Sequence, residues 1–187
     1  MGNRSERSHL QNQERGKMKL FIALFVLLNI YNYAQEMNTI VKDSSSGKPM
    51  LIGFVTRDAF KDTSFSWWFD SEFNNYEPDS ATTKLLAGRV NDLTVTIVMG
   101  TWCSDSRREV PRFLKLLDVL NFNSSAGLKI ICVDDNKKGK GDEVDGLNIE
   151  LVPTFILSQK GKEIGRIIES PKLTLEKDLL GIISAEN

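Results

Sequence analysis

Cys103 lies in Gly100-Thr101-Trp102-Cys103-Ser104-Asp105-Ser106, directly after the apolar run Leu93 to Met99 and directly before a stretch with helical spacing. A thiol at the end of a buried strand and the start of a helix has its sulfur beside unpaired backbone N–H groups and the positive end of the helix dipole. That arrangement favours thiolate over thiol and makes the sulfur a nucleophile near neutral pH. Arg107 and Arg108, one turn further on, add positive charge and Asp105 opposes it, although charges on a solvated helix surface contribute little. The second cysteine, Cys132, sits in the middle of Leu128 to Val133 (LKIICV), where a cysteine behaves as a small buried hydrophobe.

Other chemistries are excluded by composition. The only histidine, His9, falls in a polar N-terminal stretch outside the expected folded part, which leaves no histidine for a catalytic triad. Two cysteines without such a histidine make neither a zinc-site pattern nor a disulfide scaffold, so no metal and no cofactor is expected. With 187 residues, 41% of them hydrophobic and 26% charged, the chain fits one globular domain plus appendages rather than a disordered, collagen-like or multi-span membrane protein. Its 24 basic and 25 acidic residues give a net charge of -1, with no electrostatic case for a nucleic-acid partner.

The elements that must position Cys103 follow from periodicity. Phe65, Trp68, Phe69, Phe73 and Tyr76 recur at spacings of three and four, which predicts a helix with one apolar face. Glu77-Pro78-Asp79 ends it, and Asp79 or Ser80 caps a second helix to about Val90 with Leu85 and Leu86 turned inward. Leu93 to Met99 (LTVTIVM) reads as a buried strand. The stretch from about Ser104 to Leu120 reads as a helix burying Val110, Phe113, Leu114, Leu117 and Leu120, and Leu128 to Val133 as a second buried strand. A charged loop, Asp134 to Asp145, precedes two strands, Pro153 to Leu157 and Glu163 to Ile168, joined by a turn at Gln159-Lys160-Gly161-Lys162. A helix from about Thr174 to Ala185 closes the order β-α-β-loop-β-β-α, an α/β fold with a central mixed sheet flanked by helices.

Upstream, Leu20 to Leu28 (LFIALFVLL) continues through Ile30 and Tyr31, with Lys17 and Lys19 before it and Tyr33-Ala34-Gln35 after it. Charged, apolar and small-residue regions in that order predict an export signal. The run falls short of the roughly 20 apolar residues that span a bilayer, so cleavage near Gln35 is expected, with an uncleaved anchor as the alternative. No cysteine follows to accept a lipid. Residues 1–16 are polar and Met18-Lys19 would open a compact signal, so translation is expected to begin at Met18. Removing residues 1–35 leaves a net charge of about -4, which favours solubility and no stable membrane insertion. The expected organisation is residues 1–35 as upstream extension and signal, 36–50 as a linker around Ser44-Ser45-Ser46-Gly47, 51–90 as a helical extension, and 91–187 as the main domain.

Trp102-Cys103-Ser104-Asp105-Ser106 resembles the Trp-Cys-x-x-Cys motif of the thioredoxin family, with serine in place of the second cysteine. Pro111 matches the proline that kinks that family's active-site helix, and Val152-Pro153-Thr154 resembles its cis-proline loop at the opening of a strand. The resemblance covers about residues 91–187 and points to exported bacterial thioredoxin-like proteins. It implies a thioredoxin-like fold, a periplasmic or secreted location, Cys103 as catalytic nucleophile assisted by Ser106, and substrate binding at Trp102, Val152 and Pro153. Ile97 stands where the family often places a proton-moving aspartate.

With Ser106 at the resolving position, Cys103 cannot close a disulfide within the motif and so cannot run a two-electron dithiol cycle. One expectation is a monothiol thiol-disulfide oxidoreductase or isomerase-like enzyme that forms mixed disulfides with protein substrates and depends on an external thiol reductant. The alternative is a redox-inactive peptide-binding or chaperone-like module using the Trp102, Val152 and Pro153 groove. A peroxide-sensing thiol passing through sulfenic acid is a third reading.

Overall fold

The computed structural model describes residues 18–19 and 37–185. The chain divides into Met1–Met37 and Asn38–Asn187, and the second unit is described below. Apart from Met18 and Lys19, the export signal expected over residues 1–35 lies outside the described residues. Among the described residues no helix is long and apolar enough to cross a membrane.

Six strands form one mixed sheet in the order β1-β2-β4-β3-β5-β6, with β1 Thr39–Lys42, β2 Pro49–Val55, β3 Leu93–Met99, β4 Leu128–Cys132, β5 Thr154–Gln159 and β6 Lys162–Ile168. Only β3 and β4 run parallel; the other neighbours are antiparallel. The helices are α1 Thr63–Asn75, α2 Ser80–Leu86, α3 Ser104–Val119, the short turn α4 Ser124–Gly127, and α5 Leu175–Ala185. A parallel pair needs a crossover, and α3 supplies it between β3 and β4. The turn between β5 and β6 is made by Lys160 and Gly161, with φ of 51° and 79°. Positive φ at both central residues matches the twist of the strands they join.

Strand alternation sorts the core into two faces. Val95, Ile97 and Met99 of β3 and Ile130 and Cys132 of β4 bury into a large cluster with Phe65 and Trp68 of α1, Leu86 of α2, Phe113, Leu114 and Leu117 of α3, and Leu179 and Ile183 of α5. Val98, Ile131 and Val133 belong to a smaller cluster with Val152, flanked by Phe54, Trp102 and Cys103 and by Val144, Leu147 and Ile149 of the loop after β4. Helices thus cover one cluster, and a loop with the Trp102-Cys103 turn covers the other.

Three expectations are corrected. Residues 36–50 are not a linker: they contain β1 and a hairpin turn into β2, because the Asp43 carboxylate accepts from the Ser45 and Ser46 N–H groups and Gly47 takes φ of 69°. The serine cluster that suggested a flexible connection is the turn itself. Residues 51–90 are not a separate helical extension either, since Gly53, Phe54 and Val55 pair with Cys132, Ile131 and Ile130. No boundary falls at residue 91, and the unit runs from Asn38. The second helix stops at Leu86 rather than near Val90, because Gly88 takes φ of 76° just past its end. Leu86 is buried as expected, whereas Leu85 faces solvent. The N-terminus of that helix is capped by Asp79, which accepts from the Thr82 N–H at 2.7 Å.

Candidate active site at the β3–α3 junction

The chain leaves β3 at Met99, makes a turn in which the Cys103 N–H donates to the Gly100 carbonyl at 3.0 Å, and enters α3 at Ser104. Three hydrogen bonds hold this turn. The Leu51 N–H donates to Thr101 Oγ1 at 3.2 Å, tying the turn to β2. The Gly100 N–H donates to Ser106 Oγ at 3.2 Å, and Arg107 Nε donates to the Thr101 carbonyl at 2.6 Å. Thr101 and Ser106 are both buried. A turn clamped from strand and helix leaves its central side chains little freedom.

Cys103 is the N-cap residue of α3, in extended geometry, and no side chain caps that helix terminus. Its sulfur does not take the part that a serine or aspartate oxygen plays at that position. Half-buried Cys103 directs its Sγ to the Val152 carbonyl, 3.2 Å away, across 49 residues of chain. The Val152-Pro153 peptide is cis, as the resemblance implies. Trp102 folds back over Gly100 and donates its indole N–H to the Val133 carbonyl at 2.9 Å. A Cβ at position 100 would lie 2.5 Å from the indole nitrogen, so the fold-back requires glycine there.

The five expected site residues meet here with different parts to play. Cys103 and Trp102 are accessible in part, while Val152 and Pro153 are buried, so Val152 meets the sulfur through its carbonyl rather than offering a side-chain wall. Leu151, just before them, is exposed. Ser106 does not bond to Cys103; its hydroxyl oxygen is taken by the Gly100 N–H. Its role is to hold the turn.

Arg107 and Arg108 are more specifically held than a solvated surface would imply. Arg108 reaches Asp105 at 2.7 Å, the buried Glu109 at 2.6 Å and Ser170 at 3.0 Å. The hydrogen bond that Arg108 donates to Glu109 chiefly holds its guanidinium in the charged form. Ile97 is wholly buried, so the position of the absent aspartate offers no proton carrier. Cys132 is wholly buried in β4, and desolvation pushes its thiol well above the usual range, which makes it inert. Among the described residues no cluster of His, Cys, Asp or Glu is placed to hold a metal ion.

Sequence reasoning missed Thr101 and Arg107 as clamps of the turn. Neither carries a pattern signal: Thr101 is one polar residue between glycine and tryptophan, and the bond of Arg107 runs backwards to a carbonyl six residues earlier.

No family model and no curated protein matches this chain. It is similar to a solved structure of a Pseudomonas aeruginosa protein of unknown function, at 16% identity over 65% of this chain and 82% of that one, with a TM-score of 0.47. It is similar to an HIV epitope scaffold at 15% identity over 64% of this chain and 82% of the other, also with a TM-score of 0.47. Mitochondrial thioredoxin 3 of Saccharomyces cerevisiae, in its oxidized form, aligns at 19% identity over 61% of this chain and 98% of that one, with a TM-score of 0.35.

Proposed function

We propose that this chain is a thioredoxin-like protein that performs thiol-disulfide exchange through the single sulfur of Cys103. The observation that carries the reading is the placement of that sulfur: at the uncapped N-terminus of α3, half-buried, 3.2 Å from the carbonyl of Val152. A nucleophile held between a helix terminus and a second segment of chain is oriented for attack on a disulfide laid across that segment.

In the first step the Cys103 thiolate attacks one sulfur of a substrate disulfide. A mixed disulfide forms, the substrate S–S bond breaks, and the departing thiolate takes a proton from solvent. An external thiol, as its thiolate, then attacks the mixed disulfide and restores Cys103, leaving the substrate paired with that thiol. Completing a reduction takes a second external thiol, which leaves the two external thiols joined as a disulfide. Ser106 holds the turn through which Cys103 is presented, and takes no proton in either step.

The test is mass spectrometry of the reduced protein after incubation with hydroxyethyl disulfide. One adduct on Cys103, released by added glutathione and absent in Cys103→Ser, is the expected result. If Cys103 forms no adduct, the redox-inactive peptide-binding reading takes its place.

We further infer export to a bacterial periplasm or exterior. The support is the charged, apolar and small-residue order over residues 17–35. N-terminal sequencing of exported material should start near Gln35 or Glu36. Recovery of Met18-containing protein with membranes would replace cleavage by an uncleaved anchor.

A further inference from the structure

We propose that Thr154 is a positioning residue for Cys103: its hydroxyl fixes the segment whose Val152 carbonyl faces the sulfur. That the sulfur so oriented exchanges disulfides rests on the reading above; the placement itself does not.

Three successive carbonyls each have their own donor. Leu151 accepts from Thr154 Oγ1 at 2.7 Å, Val152 from Cys103 Sγ at 3.2 Å, and Pro153 from the Glu169 N–H at 2.7 Å. The outer two are held by groups that take no part in the chemistry, and the middle one meets the nucleophile. Each peptide unit is planar, and the proline ring locks φ at position 153. Turning the Val152 carbonyl away from the sulfur therefore forces one of its two neighbours to turn with it. An acceptor fixed in this place selects the Cys103 rotamer that points the sulfur at the segment.

Thr154 is well rooted for this task. It opens β5, pairs with Val98 of β3 on one side and Ile168 of β6 on the other, and is 1% exposed. Its hydroxyl reaches back three residues to the carbonyl of Leu151, whose own side chain is exposed. The residues that follow, Phe155, Ile156 and Leu157, are buried and apolar. Valine would fill such a strand position with the same shape and no hydroxyl to desolvate. What threonine adds is the one bond to Leu151. Across the site, Arg107 clamps the Cys103 turn through the Thr101 carbonyl, so the sulfur and its acceptor are each steadied by a side chain.

The experiment compares two reactions of Cys103 in the full folded chain. One is alkylation by iodoacetamide, which needs no neighbouring segment. The other is attack on a decapeptide whose cysteine is joined to 2-thiopyridine: the mixed disulfide with the peptide forms, the old S–S bond breaks, and the leaving thiopyridine takes a proton from solvent. Because both reactions consume the thiolate, the ratio of their rates reads placement. In Thr154→Val that ratio should fall about tenfold, and in Thr154→Ser, which keeps the hydroxyl, it should stay within about twofold of the parent. If the valine variant does not fold, Thr154→Ala removes the hydroxyl in its place. An unchanged ratio, or both rates falling together, overturns the role of Thr154 and leaves exchange standing. A parent that alkylates but forms no mixed disulfide removes the exchange reading, and the placement is then decided by the Val152 carbonyl carbon shift on methylation of Cys103. A shift in the parent and in Thr154→Ser but not in Thr154→Val upholds the placement; the same response in all three overturns it.

Discussion

One cysteine closes β4 and the other lies just beyond β3, its parallel neighbour, and their surroundings differ. Cys132 pairs in register with Met99, the last residue of β3, and Cys103 lies four residues beyond Met99. Cys132 is the last residue of β4, on the face covered by α1, α3 and α5, with no accessible surface. Cys103 is past the end of a strand, on the other face, at the mouth of a helix. Their contrast turns on where a strand ends: the cysteine that closes β4 is wholly buried in the core, and the one just beyond β3 is partly accessible.

The sharpest way to break that contrast is to label the folded protein with a thiol reagent. Cys103 should react and Cys132 should not, by a factor on the order of 10³ or more, because access to Cys132 requires the core to open. Denaturant should make the two sites equal. Native-state labelling of Cys132 at a comparable rate would show that the sheet face beneath the helices is not closed. Replacing Ser106 by Cys tests the other half of the comparison by adding a second thiol one turn along α3. We expect the reduced variant to reduce one insulin disulfide per molecule without an added monothiol, ending as a disulfide between Cys103 and the new thiol, and to turn over when dithiothreitol reduces it again, at some loss of stability because the Gly100 N–H exchanges a hydroxyl partner for a weaker sulfur acceptor.

What the sequence disclosed about these sites follows the same divide. Leu93–Met99 was legible to the residue because β-branched periodicity marks a strand and Gly100 punctuates its end. The core role of Cys132 followed from its apolar neighbours. The β1–β2 hairpin was hidden because β1 has four residues, too few for a period, and because an Asx turn and a flexible linker share one composition. At the candidate site, the sequence expectation grouped Cys103 with Val152 and Pro153, and the sulfur lies 3.2 Å from the Val152 carbonyl. The assignment of Ser106 to the cysteine was not sustained, since which neighbour a hydroxyl chooses depends on the turn geometry, here the Gly100 N–H.

A subtler perturbation leaves both cysteines in place and disturbs only the turn. Gly100→Ala would place a methyl group 2.5 Å from the Trp102 indole nitrogen, and the ring is tethered by its 2.9 Å bond to Val133. The ring must swing out or the turn must shift, at a cost of about 1–3 kcal/mol in denaturant-measured stability. Cys103 labelling should change in the same variant while Cys132 stays protected. An unchanged Cys103 rate would show that the indole has no part in presenting the sulfur.

The smallest expected effect concerns what keeps Cys132 closed in acid. Glu176, buried on α5, accepts from Tyr76 Oη at 2.7 Å and from the Asp79 N–H at 3.0 Å, joining α5 to the segment between α1 and α2. Burial pushes its carboxyl up, but hydrogen bonds from Thr174, Tyr76 and the backbone outweigh this and hold it below its ordinary 4.5. A carboxyl lowered on folding stabilises the protein fully above its unfolded value, and that contribution is lost as pH falls through the folded value. Protection of Cys132 against 4,4′-dithiodipyridine, which reports thiols in acid, should therefore hold above about pH 4.5 and weaken below it. Glu176→Gln should lower stability at neutral pH by roughly 1–3 kcal/mol, the cost of weakening a buried charged hydrogen-bond network, and flatten this part of the acid dependence. Tyr76→Phe should do less, about 1 kcal/mol, because Asp79 still donates. If Glu176→Gln leaves the acid profile of Cys132 unchanged, the closure of the helix-covered face does not depend on this carboxylate.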